Sequence, residues 1–281
     1  DVIWLSPMYP SPNDDNGYDI SDYKGIMSEF GTMNDFDQLL SSIHQRGMKL
    51  ILDLVVNHTS DEHPWFIESK SSKTNAKRDW YIWADPKPDG SEPNNWESIF
   101  NGPTWEFDES TKQYYFHLFS KKQPDLNWEN PDVRQAVFEM MNWWFEKGID
   151  GFRVDAITHI KKNFEAGDLP VPDGKKFAPA FDVDMNQPGI QEWLQEMKDK
   201  SLSRYDIMTV GEANGVTPND AEEWVGEENG KFNMIFQFEH LGLWSTGDTK
   251  FDVKSYKQVL NRWQKQLENV GWNALFIENH D

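Results

Sequence analysis

Apolar residues recur along this chain with two alternating periods. After Gly31, residues Phe36, Leu39, Leu40 and Ile43 fall at helical spacing behind a Thr32-to-Asp35 capping pattern, and Gly47 stops the run. Met48 to Val56 follows as an almost unbroken apolar stretch, interrupted only by Lys49 and Asp53, as in a strand buried on both faces of a parallel sheet. The same grammar returns after Asn130 and Pro131. There Val133, Val137, Met140, Met141 and Trp144 mark a helix, Gly148 closes it, and Gly151 to Val154 reads as a strand. A third round takes Ile190, Trp193, Leu194 and Met197 as helix and Ile207 to Val210 as strand. Further strands are predicted at Val2 to Leu5, Phe232 to Phe236 and Ala274 to Ile277, with a helix near Ser255 to Leu267.

Repeated strand–helix alternation implies an α/β fold, either a doubly wound sheet or a (β/α)8 barrel. About six strands are visible, so a barrel requires one or two more beyond Asp1 and Asp281, where apolar runs stand close to both ends. Between Asn57 and Trp128 the alternation fails. That stretch is rich in Trp, Pro, Asn, Asp and Ser and reads as an inserted subdomain, because so long a connection in a compact domain is usually functional. The organisation expected is a first barrel part over 1–57, an insertion over 58–128 and a second barrel part over 129–281.

Composition narrows the chemistry. A length of 281 residues with 14 Trp and 18 Phe supplies a sizeable core, and no apolar run approaches the roughly 20 residues of a membrane span. The formal charge of -21 would repel phosphate backbones and anionic lipid, so nucleic acid and membrane are poor partners and a neutral small molecule fits better. With no Cys there is neither a disulfide nor a thiol nucleophile, which favours a reducing, cytoplasmic setting. Neither a GxGxxG turn nor a P-loop is present, and no nucleotide cofactor is expected.

Three acids stand where predicted strands end: Asp155 in Gly-Phe-Arg-Val-Asp, Glu212 in Met-Thr-Val-Gly-Glu, and Asp281 in Phe-Ile-Glu-Asn-His-Asp. In a barrel such positions face a common mouth. Charged residues also appear wherever a strand meets solvent, but three at equivalent positions favour a site. Glycoside cleavage needs one carboxylate to attack the anomeric carbon and one protonated carboxyl to assist the leaving oxygen. Arg153 lies two residues before Asp155, on the same side of the strand, and would keep it ionised as a nucleophile. Glu212 has no cationic neighbour in sequence and is the better candidate for the proton donor.

His58 and His280 each follow an Asn at a strand end. Without an HExxH motif or a Cys/His cluster, contact with substrate hydroxyls explains them better than zinc, and no metal is assigned. Asp53, inside its strand, reads as an orienting acid. Aromatic residues crowd the insertion, among them Trp80, Trp96, Trp105, Tyr115 and Phe116; most are expected to form its own small core.

Taken in order, Asp53-Leu54-Val55-Val56-Asn57-His58, Gly151-Phe152-Arg153-Val154-Asp155, Gly211-Glu212-Ala213-Asn214 and Glu278-Asn279-His280-Asp281 resemble the four signature regions of the α-amylase family, glycoside hydrolase family 13. The resemblance implies a (β/α)8 TIM barrel with a B domain inserted after its third strand. It makes Asp155 the nucleophile, Glu212 the acid/base and Asp281 the transition-state stabiliser. His58, Arg153 and His280 match substrate-binding positions, and Tyr18 matches the platform beneath the terminal glucose. Gln123-Pro124-Asp125-Leu126-Asn127 looks like the marker of the oligo-1,6-glucosidase group, with Gln123 counted among the substrate contacts, and Asp15-Asn16-Gly17-Tyr18-Asp19 resembles its pocket-forming loop, in which Asp15 would hold the non-reducing end.

Ala156 stands where α-1,6-cleaving members usually carry Val, and the stretches Val210 to Val216 and Gln237 to Trp244 look like bacterial exo-α-1,4-glucosidases. The resemblance therefore implies a retaining α-glucosidase releasing terminal α-1,4-linked glucose from short malto-oligosaccharides. The alternatives are oligo-1,6-glucosidase action on isomaltose-type sugars, glucosyl transfer or sucrose isomerisation, and a non-enzymatic relative, which the presence of all three acids disfavours. It also implies that the first strand with its calcium-binding loop, the eighth strand and a C-terminal β domain lie outside 1–281, and that 1–281 alone is unstable and inactive.

Overall fold

The computed structural model describes residues 1–243 and 252–280. Among the described residues nine strands form two sheets: β1 (Val2–Leu5), β2 (Lys49–Val55), β3 (Trp83–Ala84), β4 (Trp105–Asp108), β5 (Gln113–Phe116), β6 (Gly151–Asp155), β7 (Met208–Ala213), β8 (Met234–Gln237) and β9 (Trp272–Asn273). Seven α-helices of the described residues accompany them: α1 (Met33–Gln45), α2 (Pro64–Ser71), α3 (Pro131–Lys147), α4 (Phe181–Asp184), α5 (Ile190–Lys200), α6 (Ala221–Val225) and α7 (Val253–Leu267).

The main sheet is entirely parallel, in the order β1-β2-β6-β7-β8-β9, with helices in the connections. This is the α/β arrangement of a (β/α)8 barrel wall rather than a doubly wound sheet, in which the strand order reverses at a switch point. Its helices start and stop where side-chain chemistry dictates. Thr32 and Asp35 close a reciprocal capping box at α1, and the Asn130 side chain caps α3 ahead of Pro131. The α3 face of Val133, Val137, Met141 and Trp144 is fully buried against the sheet.

Register along β6 is pinned by a close approach. A Cβ on Gly151 would lie 1.7 Å from the Met208 carbonyl oxygen, so only glycine lets β6 start beside β7. From there Arg153 pairs with Asp53 of β2 on one side and Val210 of β7 on the other. Two residues further on, alternation returns the same face of each strand, bringing Asp155 and Glu212 to one level.

Between β2 and β6 the chain builds the antiparallel sheet β3-β5-β4. Trp96, Trp105 and Phe116 form a separate buried cluster there with Leu118, whereas Tyr81 and Tyr115 belong to the main core and Trp65, Trp80 and Trp83 pack against it, so only part of the insertion's aromatic residues serves a local core. Phe164, Leu169, Ala180 and Val183, which follow β6, pack onto the same cluster.

Two strand expectations shift. The apolar run Ala274 to Ile277 is not a strand. Pairing with β8 stops at Asn273, and Leu275 and Ile277 are exposed. In β7, pairing continues to Ala213, so Glu212 is part of the strand and not a residue beyond it. Among the described residues no helix is long and apolar enough to cross a membrane.

Candidate active site

Arg153 is the hub of the strand ends. Buried at 4% exposure, it donates through Nη1 to Asp53 Oδ1 at 3.1 Å and to Asp155 Oδ1 at 2.6 Å, and through Nη2 to Glu212 Oε2 at 2.8 Å. One planar fork thus holds three carboxylates from three neighbouring strands, which a point charge could not do with the same geometry. The three acids in turn raise the guanidinium pKa against the lowering effect of its burial.

The sequence distinction between an acid with a cation beside it and one without does not survive folding. Sheet register brings Glu212 to Arg153 across the β6–β7 pairing, 59 residues away in sequence. Glu212 also accepts from the Ala156 N–H at 3.0 Å. That N–H is aimed by a left-handed backbone, φ +42°, at the residue after Asp155. Such a conformation is less strained for a small side chain than for a β-branched one.

Asp53 is completely enclosed, which pushes its carboxyl up to about 7; Arg153 pulls it down and Asp155 pushes it further up. The Tyr18 hydroxyl donates to Asp53 Oδ2 at 3.0 Å and lies 2.6 Å from His280 Nε2, where it accepts if that nitrogen carries the proton. Burial, followed by the charge of Asp53, raises the Tyr18 phenol. Tyr18 and His280 are stacked with centroids 5.6 Å apart, and Trp4, not singled out from sequence, packs edge-on to His280. Trp4, Arg153, Glu212, Phe236, Phe238 and His280 belong to the wall of a cavity of about 120 Å³.

A second group sits on the insertion side. The Gln123 amide nitrogen is 2.8 Å from Asp15 Oδ2 and 3.1 Å from His58 Nε2, joining three of the sequence candidates. Asp15 opens a tight turn closed by Tyr18 N–H to Asp15 O at 2.8 Å, with both central residues at positive φ (Asn16 +48°, Gly17 +96°). An Asn-Gly pair is the sequence such a turn demands. Buried Asp19 secures the turn by accepting from the backbone N–H groups of Asp14 and Asp15. Burial raises the Asp15 carboxyl, with Gln123 and His58 opposing and Asp19 and Asp155 reinforcing.

Beneath this group lies a cluster that sequence reasoning missed. Lys162, its side chain 1% exposed, pairs through Nζ with fully buried Asp125 at 2.5 Å and donates to Asn57 Oδ1 at 2.9 Å, while Asn57 Nδ2 donates to Asp125 Oδ2 at 3.1 Å. The cluster ties the segment after β6 to the end of β2 and to the last part of the insertion. Asp125 sits in the Gln-Pro-Asp-Leu-Asn marker and Asn57 in the first signature region, but nothing local to Lys162 distinguishes it from a solvated lysine. Asp281 lies outside the described residues. Among the described residues no group of three or more His, Asp or Glu is arranged to hold a metal ion.

The family described as "Alpha amylase, catalytic domain" matches residues 1–281. The chain is 64% identical over 282 residues to the probable oligo-1,6-glucosidase 3 of Bacillus subtilis (strain 168), covering all of this chain and 51% of that protein. It is 56% identical over 286 residues to the oligo-1,6-glucosidase of Parageobacillus thermoglucosidasius, again over 100% and 51%. The crystal structure of Bacillus licheniformis trehalose-6-phosphate hydrolase superposes with a TM-score of 0.92 at 48% identity, over 100% of this chain and 51% of that one. The chain therefore spans about half the length of the curated relatives it matches.

Proposed function

Because the chain belongs to the α-amylase catalytic-domain family, we propose that it carries the reacting core of an exo-acting, retaining α-glucosidase whose preferred substrate is terminal α-1,6-linked glucose in short oligosaccharides. The observation that carries the reading is the Arg153 fork, which keeps Asp155 and Glu212 side by side. Such proximity suits the retaining mechanism, whose carboxyls stand roughly 5–5.5 Å apart, better than the inverting one, which leaves room for a water between them.

In this mechanism Asp155 attacks the anomeric carbon while Glu212 protonates the departing glycosidic oxygen. Glu212 then takes a proton from the water that releases glucose from the glucosyl–Asp155 ester, so the α configuration is kept. Asp281 is assigned to stabilise the transition state. Tyr18 provides the platform, and Asp15, His58, Gln123, Arg153 and His280 hold the terminal glucose. Residues 58–128 are assigned as the inserted B domain between barrel parts 1–57 and 129–281.

The α-1,6 preference reverses the linkage expected from Ala156. It rests on the names of the two curated relatives and on the Gln123-to-Asn127 marker. Terminal α-1,4 cleavage is the second reading, favoured by Ala156 itself.

The test is hydrolysis of isomaltose and maltose by the complete protein, following the anomer of the first glucose released. Faster isomaltose turnover with α-glucose is expected. Faster maltose turnover would transfer the assignment to the second reading, and initial β-glucose would overturn retention. Asp155→Asn should lower kcat by about 10⁴-fold or more.

A further inference from the structure

We infer that Trp4 is a positioning residue for the assigned reaction, its indole ring bracing Arg153 and His280 so that the fork stays aligned with the carboxyls it holds. The inference rests on the function assigned above and adds to it a residue outside every signature region.

Sheet register sets the level of the ring. Trp4 pairs with Ile51 of β2, and Asp53, two residues further on, pairs with Arg153 of β6. Side chains two apart share a face of the sheet, so Trp4 stands on the face that carries Asp53 and Arg153, one alternation below them. Its ring centroid lies 5.4 Å from the Arg153 guanidinium carbon and 5.0 Å from the His280 ring, which it meets at 74°. Tyr18 completes the circuit, with its own ring 5.9 Å from Arg153 and stacked on His280. Trp4, Arg153, Tyr18 and His280 thus form a closed ring of contacts in which each member touches two others.

Two kinds of force therefore act on the fork. Three carboxylates fix it by its N–H groups, and two aromatic rings attract its charge to their faces, an attraction strongest for indole. The indole N–H takes no part. Trp4 Nε1 is buried and has no hydrogen-bond partner among the described residues, an unfavourable state that Phe or Leu would avoid in the same place. Stability alone does not call for Trp here. What the position supplies is the breadth of the ring and its π face, beside the cation that joins Asp155 to Glu212.

The experiment measures kcat/KM for isomaltose and maltose with the complete protein and with Trp4→Leu and Trp4→Phe, after thermal melting has shown each to be folded. Losing the ring should lower kcat/KM about tenfold, whereas Phe, which keeps a π face, should recover it to within about threefold of the unaltered value. Trp4→Met, unbranched and adaptable, carries the same expectation as Leu and replaces it if Leu does not fold. Because the ring acts through the fork, adding Trp4→Leu to Arg153→Lys should cost less than about threefold more. Equal losses for Leu and Phe, a Leu value within about twofold of the unaltered one, or a full further loss of about tenfold in the Arg153→Lys background would overturn the role and leave the assigned activity standing. Failure of the unaltered protein to turn over either sugar would overturn the assigned activity and this role with it.

Discussion

Arg153 reaches Glu212 at 2.8 Å through Nη2, a different guanidinium nitrogen from the one that bonds Asp53 and Asp155. The fork keeps the two carboxyls assigned to the reaction in fixed relation, and both of its prongs are needed for that. Lysine offers one flexible ammonium and cannot span the same set. Arg153→Lys should therefore lower kcat/KM by about 100-fold or more, the cost of losing a preorganised donor. Steady-state kinetics on the folded variant within tenfold of the unaltered protein would show that charge alone suffices.

Lys162 and Asp125 form an ion pair with both side chains almost completely buried, at 2.5 Å. Removing one partner leaves a buried charge uncompensated, so Lys162→Met should destabilise the protein by about 3–5 kcal/mol. Adding Asp125→Asn should recover part of that loss. Denaturant unfolding of the single and double variants measures both steps, and equal stability of the two would rule out an uncompensated Asp125 as the cause.

His63 caps α2 by accepting from the Trp65 N–H, and burial drives its pKa down to about 3. The unfolded chain takes up this proton near pH 6.5, whereas the folded protein resists it. Stability is thus intact above about 6.5 and falls as pH drops toward 3, by up to about 2 kcal/mol at pH 5 from this residue. Asp53, pushed up to about 7, acts in the opposite sense: its contribution is lost as pH rises from about 4 to 7. Because Asp53 is common to both proteins, comparing the pH slope of unfolding for the unaltered protein and His63→Gln isolates the histidine. The variant should have the shallower acid limb, and parallel limbs would refute the attribution.

Helix boundaries were legible because they are written locally. Thr32, Asp35, Asn130 and Pro131 act within a few residues of themselves, and their caps form as the pattern demands. Strand limits were less so. Apolar spacing predicts that Ala274 to Ile277 can enter a sheet, but pairing depends on what β8 offers, and it ends at Asn273. At the candidate site, the acids and their order could be read along the chain. Their connections could not, since Asp53–Arg153, Arg153–Glu212 and Gln123–Asp15 are separated by 100, 59 and 108 residues. Lys162 was invisible for the same reason, its partners lying 105 residues away at Asn57 and in the stretch before Trp128.

The hydrogen bond from Ala156 to Glu212 makes one residue answerable to two demands. Its methyl group occupies the position to which the family resemblance ties linkage preference, and its amide steadies the carboxyl assigned to protonate the departing sugar. A larger side chain there would have to tolerate the left-handed turn, φ +42°, or relax it and swing the amide away. On the proposed assignments, a single replacement at this position should therefore retune bond preference and proton delivery together.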